Sequence, residues 1–424
     1  MKLLVISHNP LTTYDNMGKT LRSLLSGFNK DELCQLYIYP SVPNVDDCGS
    51  YFRITDKDVM RFYYTLRVDG KPVEPNLQQN DMFEDEEDEK LYRNPKNKKG
   101  YVVLARDTMW RFACWNNKNL KSWLKKEKPD CILAAPGNAK FIYDVAIKIS
   151  ENLGVPIVSY LCDEYYFVET KGDFWRKRKI KLLKRKIKQY MQKISSAISI
   201  CDDLTDLYVN EFGTKIYTVM TGATHDIAAE AVVKEAPKVI SYLGNIRCGR
   251  YGSLREIGEA LDEINREGNT EYKLKIYTGE KNPDILKRLG NSKSIELCGF
   301  VSGKKYNDAV SSTDFLLHVE SFENRFIETV KNSVSTKIAD GLSSGIPMIA
   351  YGPSSIASMS YLLKNEAAIT VVSKNDLKDT LKKAFIDIEF RKKISENALL
   401  TAEKYHNPKK CATKVKKIIE ESVC

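Results

Sequence analysis

Residues 333–353, SVSTKIADGLSSGIPMIAYGP, carry the most specific chemical signal in this 424-residue chain. Ser333, Ser335 and Thr336 precede a helical stretch that carries Lys337 and Asp340. Hydroxyls and unbonded N–H groups at a helix N-terminus attract an anion. A lysine in the first turn opposes the helix dipole by itself, and makes sense if a diphosphate sits there. Asp340, about one turn further on, has the right reach for two ribose hydroxyls. Gly345-Ile346-Pro347 then ends the helix and opens a strand.

Other reactive types follow apolar runs. After KLLVIS come His8 and Gly18. Gly18 lies near a helix start, with Asn16 as N-cap, and backbone N–H groups at such a turn suit a phosphate or sugar hydroxyl. His8 can touch a transferring phosphate or sugar, or serve as a structural imidazole. Asp163, with Glu164 as second choice, ends the run VPIVSYLCDEYYF. A carboxylate there orients an acceptor hydroxyl, acts as general base, or simply caps the next helix. The fingerprints G-x-G-x-x-G and G-x-x-x-x-G-K-[ST] are absent, and Gly18-Lys19-Thr20 copies only the tail of the second. This argues against an NAD enzyme and a P-loop ATPase. The ten cysteines show no C-x-x-C, and His225, His318 and His406 stand at no metal spacing with carboxylates. Reduced thiols and no bound metal are the expectation.

The elements that must hold these residues alternate. KLLVIS, CQLYIY, DCILAAPG, VPIVSYLCDE and AISICDD read as strands separated by helical patterns. The rhythm pauses over residues 222–238 and restarts with VISYLGN, YKLKIYTGE, SIELCGF, DFLLHVES, PMIAYGP and AAITVV. Two βαβ series joined by a linker predict an α/β protein of two Rossmann-like domains, 1–222 and 236–395, facing across a cleft. A helical tail, 396–424, is broken at Asn407-Pro408. In open α/β sheets the ligand sits beyond the carboxyl ends of the strands. Residues 82–100, an acidic block and then a basic one, read as a solvated loop.

The segment STKIADGLSSGIPMIA resembles the pattern S-x-K-l-x-E-y-l-a-x-G-x-P-v-i-a of the GT-B glycosyltransferases, in particular family four. These are retaining enzymes that use nucleotide sugars. The resemblance covers nearly the whole chain and implies C-terminal helices that return to the first domain. It gives Asp340 the donor ribose. The family's earlier glutamate falls on Asn332, so Glu320, Glu323 or Glu328 would stand in. The loop VISYLGNIRCGRYG matches at Gly244, with Arg247 or Arg250 as the cation for the donor diphosphate. LCGFVSG matches where Gly299, Phe300 and Val301 face the nucleobase. Lys331 is a weaker cation candidate beside Lys337. The family's strand-end His or Asp in the first domain corresponds to Asp163. No D-x-D follows a strand, so metal-independent diphosphate binding is expected.

Charge is concentrated. Lys and Arg number 66 against 56 Asp and Glu, a net +10. Segment Lys171–Lys193 alone holds eleven Lys/Arg and one Asp, also +10, so the remainder is neutral. Its apolar residues 180, 183, 187, 190, 191 and 194 form one stripe, with Phe174 and Trp175 at the start. Such a helix packs its stripe on a core, meets an anionic membrane surface through Trp175, Lys177, Arg178, Lys184 and Arg185, or does both. Nucleic acid is not an expected partner, since no recognised module accompanies the patch. No stretch reaches the roughly 20 apolar residues of a membrane span, and the five-residue apolar run near Met1 does not read as a signal peptide.

The expectation is a cytoplasmic enzyme on the inner face of the membrane. It would move a sugar from a nucleotide diphosphate to a glycan or lipid-linked oligosaccharide in surface-polysaccharide synthesis, with retention. The alternatives are a nucleotide-sugar 2-epimerase and a non-catalytic partner in polysaccharide assembly.

Overall fold

Leu3–Ser7 (β1), Leu33–Tyr37 (β2), Cys131–Ala135 (β5) and Ile157–Leu161 (β6) are buried at every position. Continuous apolar runs of this kind belong to a parallel sheet covered on both faces. The computed structural model, which describes residues 1–13, 15–78 and 100–423, places them in a first unit formed by Met1–Gly222 and Pro408–Cys424. Ser50–Arg53 (β3), Lys71–Val73 (β4), Ser196–Ser199 (β7) and Ile216–Thr218 (β8) complete its sheet, in the order β4-β3-β2-β1-β5-β6-β7-β8. Only β4 runs antiparallel, against β3.

Seven helices flank this sheet among the described residues before Gly222: Asn16–Leu25 (α1), Asp56–Thr65 (α2), Gly100–Phe112 (α3), Lys118–Glu127 (α4), Lys140–Leu153 (α5), Phe174–Met191 (α6) and Asp202–Phe212 (α7). Asp15, not Asn16, caps α1: its carboxylate accepts the Gly18 N–H at 2.9 Å. The expected loop 82–100 lies outside the described residues except for Gly100, the first described residue of α3.

The second unit, Ala223–Asn407, contains Val239–Leu243 (β9), Lys273–Tyr277 (β10), Ile295–Gly299 (β11), Phe315–Val319 (β12), Met348–Tyr351 (β13) and Ile369–Val371 (β14). The order is β11-β10-β9-β12-β13-β14, all parallel. This is the doubly wound order, which reverses between β9 and β12. The helices are Arg250–Gly268 (α8), Pro283–Leu289 (α9), Lys304–Ser311 (α10), Asn324–Val330 (α11), Thr336–Ser343 (α12), Ala357–Lys364 (α13), Leu377–Ile386 (α14) and Ile388–Tyr405 (α15).

The linker belongs to this second unit. Arg391, fully buried on α15, donates to the carbonyls of Ala384 and Phe385 at the end of α14 and to those of Lys234 and Glu235. Val232 N–H also bonds the Gly345 carbonyl at 2.7 Å. The unit therefore starts at Ala223, where the sequence pattern suggested 236, and keeps the whole of α15, whose residues from 396 on the pattern assigned to the returning tail. Only Pro408–Val423 (α16) joins the first unit. It packs on α1, with Lys416 paired to Glu32 at 3.0 Å.

Candidate functional site

β9 and β12 are paired only at Phe315↔Ile240 and Leu316↔Ser241. Beyond that rung the two strands part at the point where the strand order reverses. A cavity of about 370 Å³ opens there, walled by α10, α12 and the linker. Of the expected donor-binding residues, Arg250, Ser335, Lys337 and Asp340 line it.

Lys337 is exposed as a residue, but its ammonium head turns onto the Leu243 carbonyl at 2.7 Å. Desolvation lowers its pKa, the Arg250 charge adds to this, and Asp340 opposes it. Gly244 explains the close approach: a Cβ there would lie 2.6 Å from Lys337 Nζ. Gly244 thus supports the site through the room it leaves. Ser335 occupies the N-cap position of α12 without a side-chain cap bond. Asp340 Oδ1 accepts the Thr224 N–H at 2.7 Å and its hydroxyl at 2.9 Å, with His225 Nδ1 at 3.7 Å.

Arg250 is clasped by Glu320. Its Nη2 donates to Oε1 at 2.7 Å and its Nε to Oε2 at 3.1 Å. Burial opposes the guanidinium charge, but the Glu320 carboxylate outweighs it and raises the Arg250 pKa. Glu320, 2% exposed, is therefore the holder of Arg250 and does not line the cavity. His318 does line it, with Nε2 3.1 Å from Ser358 Oγ and 3.5 Å from Glu320. Burial pushes its pKa down to about 4, so the imidazole is neutral at pH 7. His318 carries no spacing signal in the sequence; only its position near the end of a strand hinted at it.

Besides Gly18, Gly244 and Glu320, the expected donor contacts Arg247, Thr336, Gly299, Phe300 and Val301 stand outside the cavity. Arg247 is exposed on the loop after β9, and Thr336 is exposed beside Ser335. Phe300 is 74% exposed and Val301 is half-buried, neither among the lining residues. The wall they were expected to form is supplied by α10, including Tyr306, whose hydroxyl pKa burial pushes up to about 12.

In the first unit, His8 and Asp163 stand at the carboxyl edge of one sheet with β5 between their strands. Arg106 Nη2 lies 2.9 Å from His8 Nε2. Guanidinium can only donate, so Nε2 accepts and Nδ1–H faces Asn9 Oδ1 at 2.9 Å. Asp56 in turn receives Arg106 Nε and Trp110 Nε1, each at 2.8 Å. Both imidazole nitrogens are thus engaged, which removes His8 as an open base. Gly18 N–H is likewise committed to Asp15, so it offers no donor to a ligand. Asp163 is exposed and accepts the Tyr165 hydroxyl at 3.2 Å. Glu164 folds onto the N–H groups of Tyr166 and Phe167, a turn-capping role.

No family model and no curated protein matches the sequence. Solved structures do match over the full chain. Anabaena Alr3699/HepE in complex with UDP and glucose is 10% identical, with 99% of this chain and 100% of that chain covered and a TM-score of 0.61. Sucrose-phosphate synthase from Thermosynechococcus elongatus is 10% identical, with 99% and 98% covered and a TM-score of 0.60. WaaG, a glycosyltransferase involved in lipopolysaccharide biosynthesis, is 13% identical, with 97% and 99% covered and a TM-score of 0.55. The fold is GT-B.

On the first unit of this GT-B fold, α6 divides its faces. Leu183, Ile187, Tyr190 and Met191 are buried, so the apolar stripe packs inward, against α3 and α5. Lys186 and Lys193 pair with Asp144 and Glu151, each at 2.6 Å. Lys177, Arg178 and Arg185 are exposed, Lys184 is half-buried, and no ion pair engages these four among the described residues. Phe174 is 66% and Trp175 46% exposed. Among the described residues no helix is long and apolar enough to cross a membrane, and no group of three or more His, Cys, Asp or Glu is placed to hold a metal ion.

Proposed function

We propose that the protein is a glycosyltransferase that takes its sugar from a nucleotide diphosphate bound in the second unit. The observation that carries this reading is the cavity at the strand-order reversal, with Lys337, Arg250 and the uncapped N-terminus of α12 at one mouth beside Asp340. Two cations and free helix N–H groups suit a diphosphate leaving group without a metal. Asp340 Oδ2 remains to take ribose hydroxyls. The similarity to HepE, whose structures hold UDP, UDP and glucose, or UDP-glucose, supports a nucleotide-sugar donor.

In the reaction the bond between the sugar's anomeric carbon and the diphosphate breaks. A bond from that carbon to an acceptor hydroxyl oxygen forms, the hydroxyl proton is released, and the nucleoside diphosphate departs. Lys337 and Arg250 bear the developing phosphate charge. The acceptor is a glycan or lipid-linked oligosaccharide, as in surface-polysaccharide synthesis, held by the first unit with Asp163 as the carboxylate nearest its hydroxyl. The product retains anomeric configuration. The unpaired cations and aromatic residues of α6 support a position on the inner face of an anionic membrane.

The test is a thermal-shift series against UDP, GDP, CDP and dTDP and their sugars without metal. A ligand that binds only the folded chain raises the melting temperature. A shift with one nucleotide, followed by its release from the sugar in the presence of glycan acceptors, is the expected result. Absence of a shift with every nucleotide overturns the reading.

A further inference from the structure

The linker is bonded along α12 as soon as the chain enters the second unit at Ala223. Thr224 donates twice to Asp340 Oδ1, from its N–H at 2.7 Å and from its hydroxyl at 2.9 Å. Ala228 N–H then donates to the Ser343 carbonyl at 2.8 Å, and Val232 N–H to the Gly345 carbonyl at 2.7 Å. Carbonyls at the C-terminal end of a helix lack partners within it, and the strap supplies them here. Ile227 packs on the apolar cluster that contains Ile338 and Leu342 of α12. Gly345 lets the strap lie close: its φ is +75°, and a Cβ there would fall 2.6 Å from the Glu230 carbonyl oxygen.

The bonds of Thr224 differ from the other two. They end on a side chain, and Thr224 is exposed, so burial does not oblige its hydroxyl to pair. Thr224 and Asp340 both line the cavity. A carboxylate oxygen offers about two acceptor positions. Thr224 fills both on Oδ1, with His225 Nδ1 at 3.7 Å from the same atom. Oδ2 accepts from no group among the described residues. Held by one oxygen, the carboxylate cannot turn about its own axis, and the other oxygen points one way.

We propose that Thr224 is a positioning residue for the donor: the linker strap locks the Asp340 carboxylate through Oδ1 so that Oδ2 alone is presented to the ligand's hydroxyls. This rests on the nucleotide-sugar reading above and gives the linker a part in it. The orientation of Asp340 is fixed when the second unit folds and not when the ligand arrives, so less ordering is left for the binding step. Ile227 and the two backbone bonds keep Thr224 in register with Asp340, while Lys337 and Arg250 meet the diphosphate independently of the strap.

The experiment is calorimetric titration of the full chain with UDP, GDP and CDP, their 2′-deoxy analogues and inorganic pyrophosphate. The variants are Thr224→Val, Thr224→Ser, Asp340→Ala and the double variant T224V/D340A. Valine keeps the shape and the N–H donor and removes only the hydroxyl. T224V should weaken the nucleotide that wild type binds about threefold to tenfold, the worth of one hydrogen bond. It should also narrow the wild-type preference for the ribose form over the 2′-deoxy form. T224S should restore both values. Pyrophosphate, which has no hydroxyls for Asp340, should bind T224V as it binds wild type. In the D340A background T224V should cause no further loss, because the two residues act as one unit. Wild-type nucleotide affinity in T224V overturns the proposal. So does an equal loss of pyrophosphate binding, a full additional loss in the double variant, or a wild type indifferent to the 2′-hydroxyl. Any of these leaves the nucleotide-sugar reading standing. Failure of every nucleotide to bind wild type overturns both.

Discussion

Both sheets of this protein reverse their strand order, and only one of the two reversals opens. In the first unit β1 and β5 stay paired over all five rungs, through Ser7↔Ala135. In the second, β9 and β12 are paired over two. The polar groups around the closed reversal satisfy one another: His8 lies between Arg106 and Asn9, and Gly18 N–H bonds Asp15. Even the helix N-terminus beside β5 is filled. α5 lacks a side-chain cap of its own, and Asp107 reaches across from α3 to the Phe141 N–H. At the open reversal no such carboxylate caps the N-terminus of α12 among the described residues. One unit supplies its own anion there, and in the other no side chain caps the helix among the described residues.

The strongest test breaks the pair that braces the open side. Glu320→Ala leaves the Arg250 charge without its carboxylate, with only the Val319 carbonyl and the Asn245 side chain to accept from it, and removal of one member of a buried ion pair costs about 3–5 kcal/mol. Chemical denaturation should show that loss. A melting curve equal to wild type would mean that Arg250 relaxes into solvent.

A slightly smaller effect of opposite sign is expected on the closed side. Burial pushes Asp107 up to about 6, above its ordinary 3.8, with Lys140, Arg106 and Lys179 opposing. A carboxyl whose folded pKa is raised contributes stability below the unfolded pKa and loses it as pH rises through the folded one. Asp107→Asn keeps an acceptor without the charge. It should stabilise the protein at pH 7.5 by up to about 3 kcal/mol. The gain should vanish below about pH 4; a gain independent of pH would contradict this account.

Next come Lys337→Ala and Asp340→Ala, each expected to weaken nucleotide diphosphate binding about tenfold to a hundredfold, the range for a hydrogen bond to a charged group. The fold should be unchanged by circular dichroism. Wild-type affinity in both would remove the donor assignment from the open side.

The smallest single effects lie on α6. Each of Lys177→Gln, Arg178→Gln, Lys184→Gln and Arg185→Gln should reduce attraction to an anionic bilayer by about 1 kcal/mol. Charge reversal at all four should release the protein from phosphatidylserine liposomes in co-sedimentation, with nucleotide binding retained. Equal sedimentation would reassign these residues to a merely solvated face.

The frame was readable because most of the parallel strands, buried on both faces, appear as apolar runs, with β10 alternating instead, and every run read as a strand is one. The edge strands β4 and β8, and β3 next to β4, escaped: they are three or four residues long, and only β3 has fully buried positions, Tyr51 and Phe52. Lys337 and Asp340 were legible because they share a helix start with hydroxyls. What they touch was not. Thr224 meets Asp340 across 116 positions, and Glu320 meets Arg250 across 70. Arg247 and Arg250 look equivalent in a loop; only the fold turns one onto a buried carboxylate and the other to solvent. Phe300 shows that an aromatic residue after a strand is no guide to where its ring goes.

The division of the chain also has a temporal side. Residues 223–407 interrupt a unit whose last helix, α16, comes from beyond them. Domains form as units while synthesis proceeds from the N-terminus. Here the unit begun first is the one finished last. Until Pro408–Val423 emerges, α1 lacks the helix that packs on it, while the interrupting unit already has every strand it needs. Nascent chains halted near Asn407 should therefore present a completed second unit behind an unfinished first, with the burden on chaperones falling at the older end of the polypeptide.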